Sequence, residues 1–167
     1  MKKGMIIAGF SGVGKTELSK KYKNAIDLDS AEFVYDDSNM LHIPFEQRKG
    51  EKRTPNPDWP NNYIDAIKMA VKEYDFVLVW DREDIIQEYF KNKIEFTLCY
   101  PVKEDLPYYI ERFKNRGNSE KYIQMKLNQY KDRMTTYRDL AVPRIVLSNN
   151  ERLEDYLLKN NFKLILK

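Results

Sequence analysis

The run Gly9-Phe10-Ser11-Gly12-Val13-Gly14-Lys15-Thr16 constrains this chain most, because its three glycines permit a tight turn that few other sequences can make. Residues 4–9, which lead into it, are apolar and read as a strand; residues 15–22, which follow it, are helix-forming. Strand, glycine turn and helix in that order open an α/β fold.

The rest of the chain keeps the alternation. Strand-like runs fall at 25–29, 75–80, 95–100 and 144–147, with a possible sixth at an edge over 162–166. Residues 75–80 are apolar on both faces, as a central parallel strand requires. Helical spacing marks 61–73, 82–92, 104–116, 119–137 and 153–160; in 119–137, Tyr122, Met125, Tyr130 and Met134 form an apolar stripe that predicts the core-facing side. At 167 residues and 42% hydrophobic, the chain is predicted to form one domain over 1–167 around one core.

Residues 30–60 break the pattern. They carry Pro44, Pro55, Pro57 and Pro60 among Phe33, Tyr35, Phe45 and Trp59, so short helices in an insertion that covers a substrate are expected.

Charge excludes little but ranks partners. Charged residues make up 33% of the chain, yet both signs are mixed and the balance is only +3, which disfavours a nucleic-acid partner. Cys99 has no second cysteine to pair with and lies in an apolar run, so it reads as a buried thiol in a reducing compartment. No apolar run reaches the ~20 residues of a membrane span. A soluble, cytoplasmic protein without a membrane partner, monomeric or homodimeric, is expected. His42, the single histidine, has no partner at metal or triad spacing.

The glycine run fits G-x-x-x-x-G-K-[ST] without a gap. Its chemistry is phosphate binding. Gly9, Gly12 and Gly14 let the backbone N–H groups from Phe10, Ser11 and Val13 onward converge on phosphate oxygens, and the helix beginning near Lys15 adds its unpaired N–H groups. Lys15 is placed to reach the β- and γ-phosphates, and the Thr16 hydroxyl to ligate Mg²⁺. ATP and Mg²⁺ are therefore the expected ligands.

With these residues the chain resembles the P-loop small-molecule and nucleotide kinases, which include nucleoside monophosphate kinases, shikimate kinase and gluconate kinase. The likeness rests on the P-loop, on Asp27-Leu28-Asp29-Ser30 and on Arg112 and Arg116. The run Asn56-Pro57-Asp58-Trp59-Pro60-Asn61-Asn62-Tyr63 is also similar to phage-borne nucleotide kinases, which would place the protein in a host cytoplasm. The resemblance implies a three-layer P-loop NTPase fold with a five-stranded sheet in the order 2-3-1-4-5 and helices on both faces. It further implies Mg²⁺ assistance by Asp27, acceptor contact by Asp29, and a metal-ordering acid at Asp81, which is also a natural helix cap.

Arg112 and Arg116, one turn apart, resemble the R-x-x-x-R of a short lid over about 112–121 that closes on the phosphates. Arg133 and Arg138 are further candidates. Arg48 and Arg53 stand in the insertion, where monophosphate kinases hold the acceptor phosphate. The short lid and Trp80-Asp81-Arg82 depart from the monophosphate-kinase pattern and leave the acceptor open.

Three readings follow. The leading one is a kinase of a nucleoside monophosphate or nucleoside. The second is a kinase of another hydroxyl acceptor, a sugar acid or a polynucleotide 5′ end; the D-x-D favours a hydroxyl. The third is a regulatory module that binds ATP or GTP without turnover. An N-K-x-D base-reading motif is missing, although Asn149-Asn150-Glu151 follows the fifth strand, where a base often lies.

Overall fold

The computed structural model describes residues 3–48 and 51–167. Five parallel strands form the main sheet: β1 (Met5–Gly9), β2 (Ala25–Asp27), β5 (Phe76–Val79), β6 (Thr97–Pro101) and β7 (Arg144–Leu147). Their spatial order is β2-β5-β1-β6-β7, and every neighbouring pair runs parallel. Counted along the main sheet this is 2-3-1-4-5, as expected.

Burial follows position in the sheet. The inner strands β5 and β6 are buried at every residue, whereas the edge strand β7 alternates exposed Arg144 and Val146 with buried Ile145 and Leu147. The chain moves from β1 across to β2, then reverses and crosses back through α4 (Asn61–Glu73) and α5 (Glu83–Lys91). Right-handed crossovers therefore place α1 (Lys15–Lys21) on one face and α4 and α5 on the other. In α4 the buried residues Tyr63, Ile64, Ile67, Ala70 and Val71 recur at helical spacing.

The remaining helices complete the cover. They are α6 (Leu106–Asn115), α7 (Glu120–Arg138) and α8 (Leu153–Lys159). Helix α8 is tied to α1 through Glu154, whose Oε1 accepts from Lys21 and from the Tyr22 hydroxyl. Among the described residues no helix is long and apolar enough to cross a membrane. Cys99 is fully buried, and burial pushes its thiol well above the ordinary range.

Two sequence expectations need correction. The 162–166 run adds no sixth strand: one antiparallel bridge joins Tyr22 to Leu166, and Asn24 holds the segment by donating to the Lys163 carbonyl and accepting from Ile165 N–H. The buried stripe of α7 is Ile123, Tyr130, Arg133 and Tyr137, while Met125 is exposed. The helix has turned a buried arginine inward that the apolar pattern left out.

The insertion is built from short pieces: α2 (Ala31–Val34), β3 (Tyr35–Asp36), α3 (Phe45–Arg48) and β4 (Thr54–Pro55). Strands β3 and β4 pair antiparallel. Tyr63 stacks near both Phe33 and Trp59, and the Asn62 amide donates to the Phe33 carbonyl, so α4 carries the insertion.

Candidate functional site

The glycine turn sits at the carboxyl end of β1, where the connections reverse direction and open parallel sheets bind ligands. Two apolar side chains anchor it. Phe10 and Val13 are buried, with Phe10 packed edge-on to Tyr130 at 5.6 Å and near Tyr109. Backbone bonds tie Phe10 N–H to the Cys99 carbonyl and Leu153 N–H to the Val13 carbonyl. The Lys15 ammonium folds back onto the Gly9 and Phe10 carbonyls.

Gly12 is required where it stands. Its φ is 90°, and a Cβ there would lie 2.9 Å from Tyr109 Cδ1. The left-handed backbone alone costs a side-chain-bearing residue about 1–2 kcal/mol, and the buried Tyr109 ring must also yield. Gly12→Ala is therefore expected to lower Tm by roughly 4–8 °C, taking about 2 kcal/mol and the slope for a chain of this size. A melt within 1 °C of the parent, allowing for ~0.3 kcal/mol, would show that the turn relaxes freely.

The turn opens into a cavity of about 330 Å³ that brings together much of the expected site: Ser11, Gly12, Gly14, Lys15, Thr16, Asp27, Asp29 and Arg116. The Thr16 hydroxyl donates to Asp27 Oδ2 at 2.8 Å. Burial raises the Asp27 carboxyl above its usual range, against the pull of Lys15 and Thr16. Hard oxygen donors at this spacing suit Mg²⁺, which takes few protein ligands and completes its shell with phosphate and water. Asp29 lines the same cavity while its Oδ1 accepts from Ala31 N–H at 3.0 Å, which fixes the turn after β2.

The Tyr63 hydroxyl ties together two loops that line this end of the cleft. It donates to the Leu28 carbonyl and accepts from Trp80 N–H, joining the loops after β2 and β5.

Other expected residues stand elsewhere, each already paired. Asp81 is 1% exposed and does not line the cavity; its Oδ1 lies 3.1 Å from Arg133 Nη1, and its Oδ2 accepts from the Tyr137 hydroxyl. Neither a metal-facing position nor the cap of α5 fits that geometry, since the N-cap of α5 is Arg82. Arg53 grips Asp37 with Nε and Nη2 and also donates to the Ala31 carbonyl, while Arg48 donates to the Ile43 carbonyl and lies 3.6 Å from Asp37. Both arginines brace the insertion instead of facing the cleft.

Arg112 and Arg116 part company despite their spacing. Arg112 donates to the Gly12 carbonyl at 2.9 Å and to the Asn150 carbonyl, clamping the glycine turn to the loop after β7. Arg116 stays at the mouth of the cavity, 3.0 Å from Glu17 Oε1. The segment expected as a lid is a tight corner between α6 and α7. Gly117 N–H bonds to the Lys114 carbonyl and Asn118 N–H to that of Phe113, which closes α6. The Ser119 hydroxyl then accepts from Tyr122 N–H as the cap of α7.

Cavity residues absent from the sequence-based site include Glu17, Trp80, Tyr122 and, last along the chain, Lys126. A signal for the last existed, because Lys126, Tyr130, Arg133 and Tyr137 recur at helical spacing on one face of α7. That face packs on Phe10, with the Arg133 guanidinium 5.4 Å from its ring centre. A second, smaller hollow of about 190 Å³ lies beyond Arg112, lined by Tyr108, Arg112, Asn150 and Arg152 among others.

No protein-family model matches this chain, and no curated protein matches it in sequence.

Proposed function

We propose that this chain has the P-loop NTPase fold and transfers the terminal phosphoryl group of ATP, or a related nucleoside triphosphate, to a small acceptor, a nucleoside or a nucleoside monophosphate. The observation that carries the reading is one cavity holding Lys15, Thr16, Asp27 and Asp29 at the mouth of the glycine turn. Lys15 supplies charge to the phosphates, and the turn supplies N–H donors. Thr16 and Asp27 would hold Mg²⁺, which supplies neutralisation of charge on the β- and γ-oxygens when bound.

Asp29 is set apart for the acceptor. A hydroxyl resting on its carboxylate is oriented toward the phosphorus; as the new O–P bond forms and the bond to the β-phosphate oxygen breaks, the hydroxyl proton passes to Asp29. Because Arg48 and Arg53 are bound to Asp37 in the insertion, the geometry favours a hydroxyl over an acceptor phosphate at those two residues. The hollow beside Arg112 and Asn150 suits the base, reached from the phosphates past the Gly12 carbonyl.

The test is acceptor-dependent ADP release from Mg-ATP with a panel of nucleosides, nucleoside monophosphates and small hydroxyl acids, with product masses measured. Tight ATP binding without acceptor-dependent ADP from any of them defeats the kinase reading in favour of a nucleotide sensor. Asp29→Asn is expected to slow turnover by about 10²- to 10⁴-fold, the usual worth of a positioned base, with ATP affinity unchanged. Turnover within a few-fold of the parent would remove Asp29 from the chemistry.

A further inference from the structure

We infer that Lys126 is a catalytic cation of the cleft, contacting the terminal phosphate of the bound triphosphate from helix α7. The inference rests on the triphosphate reading above and adds a residue to it.

Lys126 reaches the cavity from α7, on the face that packs against the glycine turn through Tyr130 and Arg133. Its ammonium has little to hold it. It donates to Gln129 Oε1 at a long 3.3 Å and stands 5.3 Å from the centre of the Tyr122 ring. Among the described residues no carboxylate lies within 4.0 Å of it as an ion pair.

The charged groups around it explain why it is poised. Arg133 on the same helix and Lys15 at the head of α1 repel it; Asp81, after β5, attracts it but is already engaged by Arg133 and Tyr137. From the α6–α7 corner comes Arg116, paired with Glu17, and Asp27 and Asp29 lie along the cavity wall after β2. Burial, then Arg133, pushes the Lys126 ammonium down to about 8. The cavity's carboxylates are Glu17, Asp27 and Asp29, and none of them pairs with Lys126, so a phosphate oxygen of a triphosphate would give its ammonium the anionic partner it lacks there.

Proton uptake follows by linkage. A bound polyanion stabilises the ammonium, so the group titrates higher in the complex than in the free protein. Near pH 7 Lys126 is mostly charged already and uptake is small. At pH 8.5 a group titrating at about 8 is largely neutral, so binding draws in a measurable fraction of a proton. Affinity accordingly falls as pH rises above 8. A lysine that merely lays its stem along the wall, with its head in water, would do none of this.

The experiment is calorimetric titration with the Mg²⁺ complex of the β,γ-imido analogue of ATP at pH 8.5, in two buffers of different ionisation enthalpy. The parent is expected to bind with a buffer-dependent heat corresponding to a measurable fraction of a proton, and Lys126→Arg to bind with that uptake abolished, since arginine stays charged. Lys126→Met is expected to bind about 10- to 100-fold more weakly, the worth of a charged hydrogen bond. Equal uptake in the parent and in Lys126→Arg, or none in either, overturns the inference and leaves the triphosphate reading standing. Failure of the parent to bind the analogue at all overturns both.

Discussion

Lys15→Ala is expected to reduce acceptor-dependent ADP release by about 10²- to 10³-fold, the range for removing one preorganised group that stabilises developing charge. The side chain is committed to this site by its place in the chain: it is the first residue of α1, directly after Gly14, whose left-handed backbone turns the helix toward the cavity. Its ammonium now rests on the Gly9 and Phe10 carbonyls, a neutral resting place from which phosphate oxygens would draw it. The fold has little stake in that contact. Alanine is the best helix former, and the lost bonds are two part-buried contacts to neutral carbonyls, so Tm should move by no more than roughly 2 °C, or under about 1 kcal/mol. The pairing of a large kinetic loss with an intact melt separates Lys15 from Gly12, whose replacement strains the backbone as well. Turnover within tenfold of the parent, a loss of only about 1.4 kcal/mol, would show that the ammonium is no part of the transition state.

How legible the site was depended on the range over which each residue is held. The glycine turn, Lys15 and Thr16 are fixed by consecutive dihedrals, so their placement could be read directly. Asp27 and Asp29 follow from strand alternation at the end of β2, and the sheet order follows from an alternation of apolar runs and helices. Charges were harder, because sequence shows a charge without showing its partner. Arg48 and Arg53 looked free until Asp37, on the far arm of the insertion, was seen between them. Asp81 looked like a metal-facing acid, but its partners stand 52 and 56 residues later on α7. Arg112 and Arg116 share a helix face, yet the loop after β7 claims only the first. Hydrophobic periodicity also misled on α7, since an arginine and a lysine occupy the inward face and Met125 is left outside.

Arg133→Met is expected to destabilise the fold by about 3–5 kcal/mol, the cost of leaving a buried charge without its partner. Asp81 and Arg133 are 1% and 7% exposed, so water cannot take over for either. Their ion pair is close but imperfect: Asp81 Oδ1 and Arg133 Nη1 are 3.1 Å apart and out of hydrogen-bond alignment, which leaves both atoms unbonded. Such a pair contributes less than its distance suggests, whereas breaking it carries the full desolvation penalty of the survivor. The double variant Asp81→Asn with Arg133→Met removes both charges and keeps an acceptor for the Tyr137 hydroxyl. It should recover much of the loss, giving a coupling energy of about 2–3 kcal/mol in denaturant melts. A single variant within ~1 kcal/mol of the parent, or a double variant no more stable than the worse single, would mean that the pair is solvated or held otherwise. The same clamp positions the face of α7 that carries Lys126, since Arg133 joins α7 to the end of β5 two turns further along the helix. The double variant therefore separates two demands on Arg133. If its value lies only in balancing Asp81, triphosphate affinity returns with stability; if its charge against Phe10 also serves the phosphates, the double variant regains stability and still binds weakly.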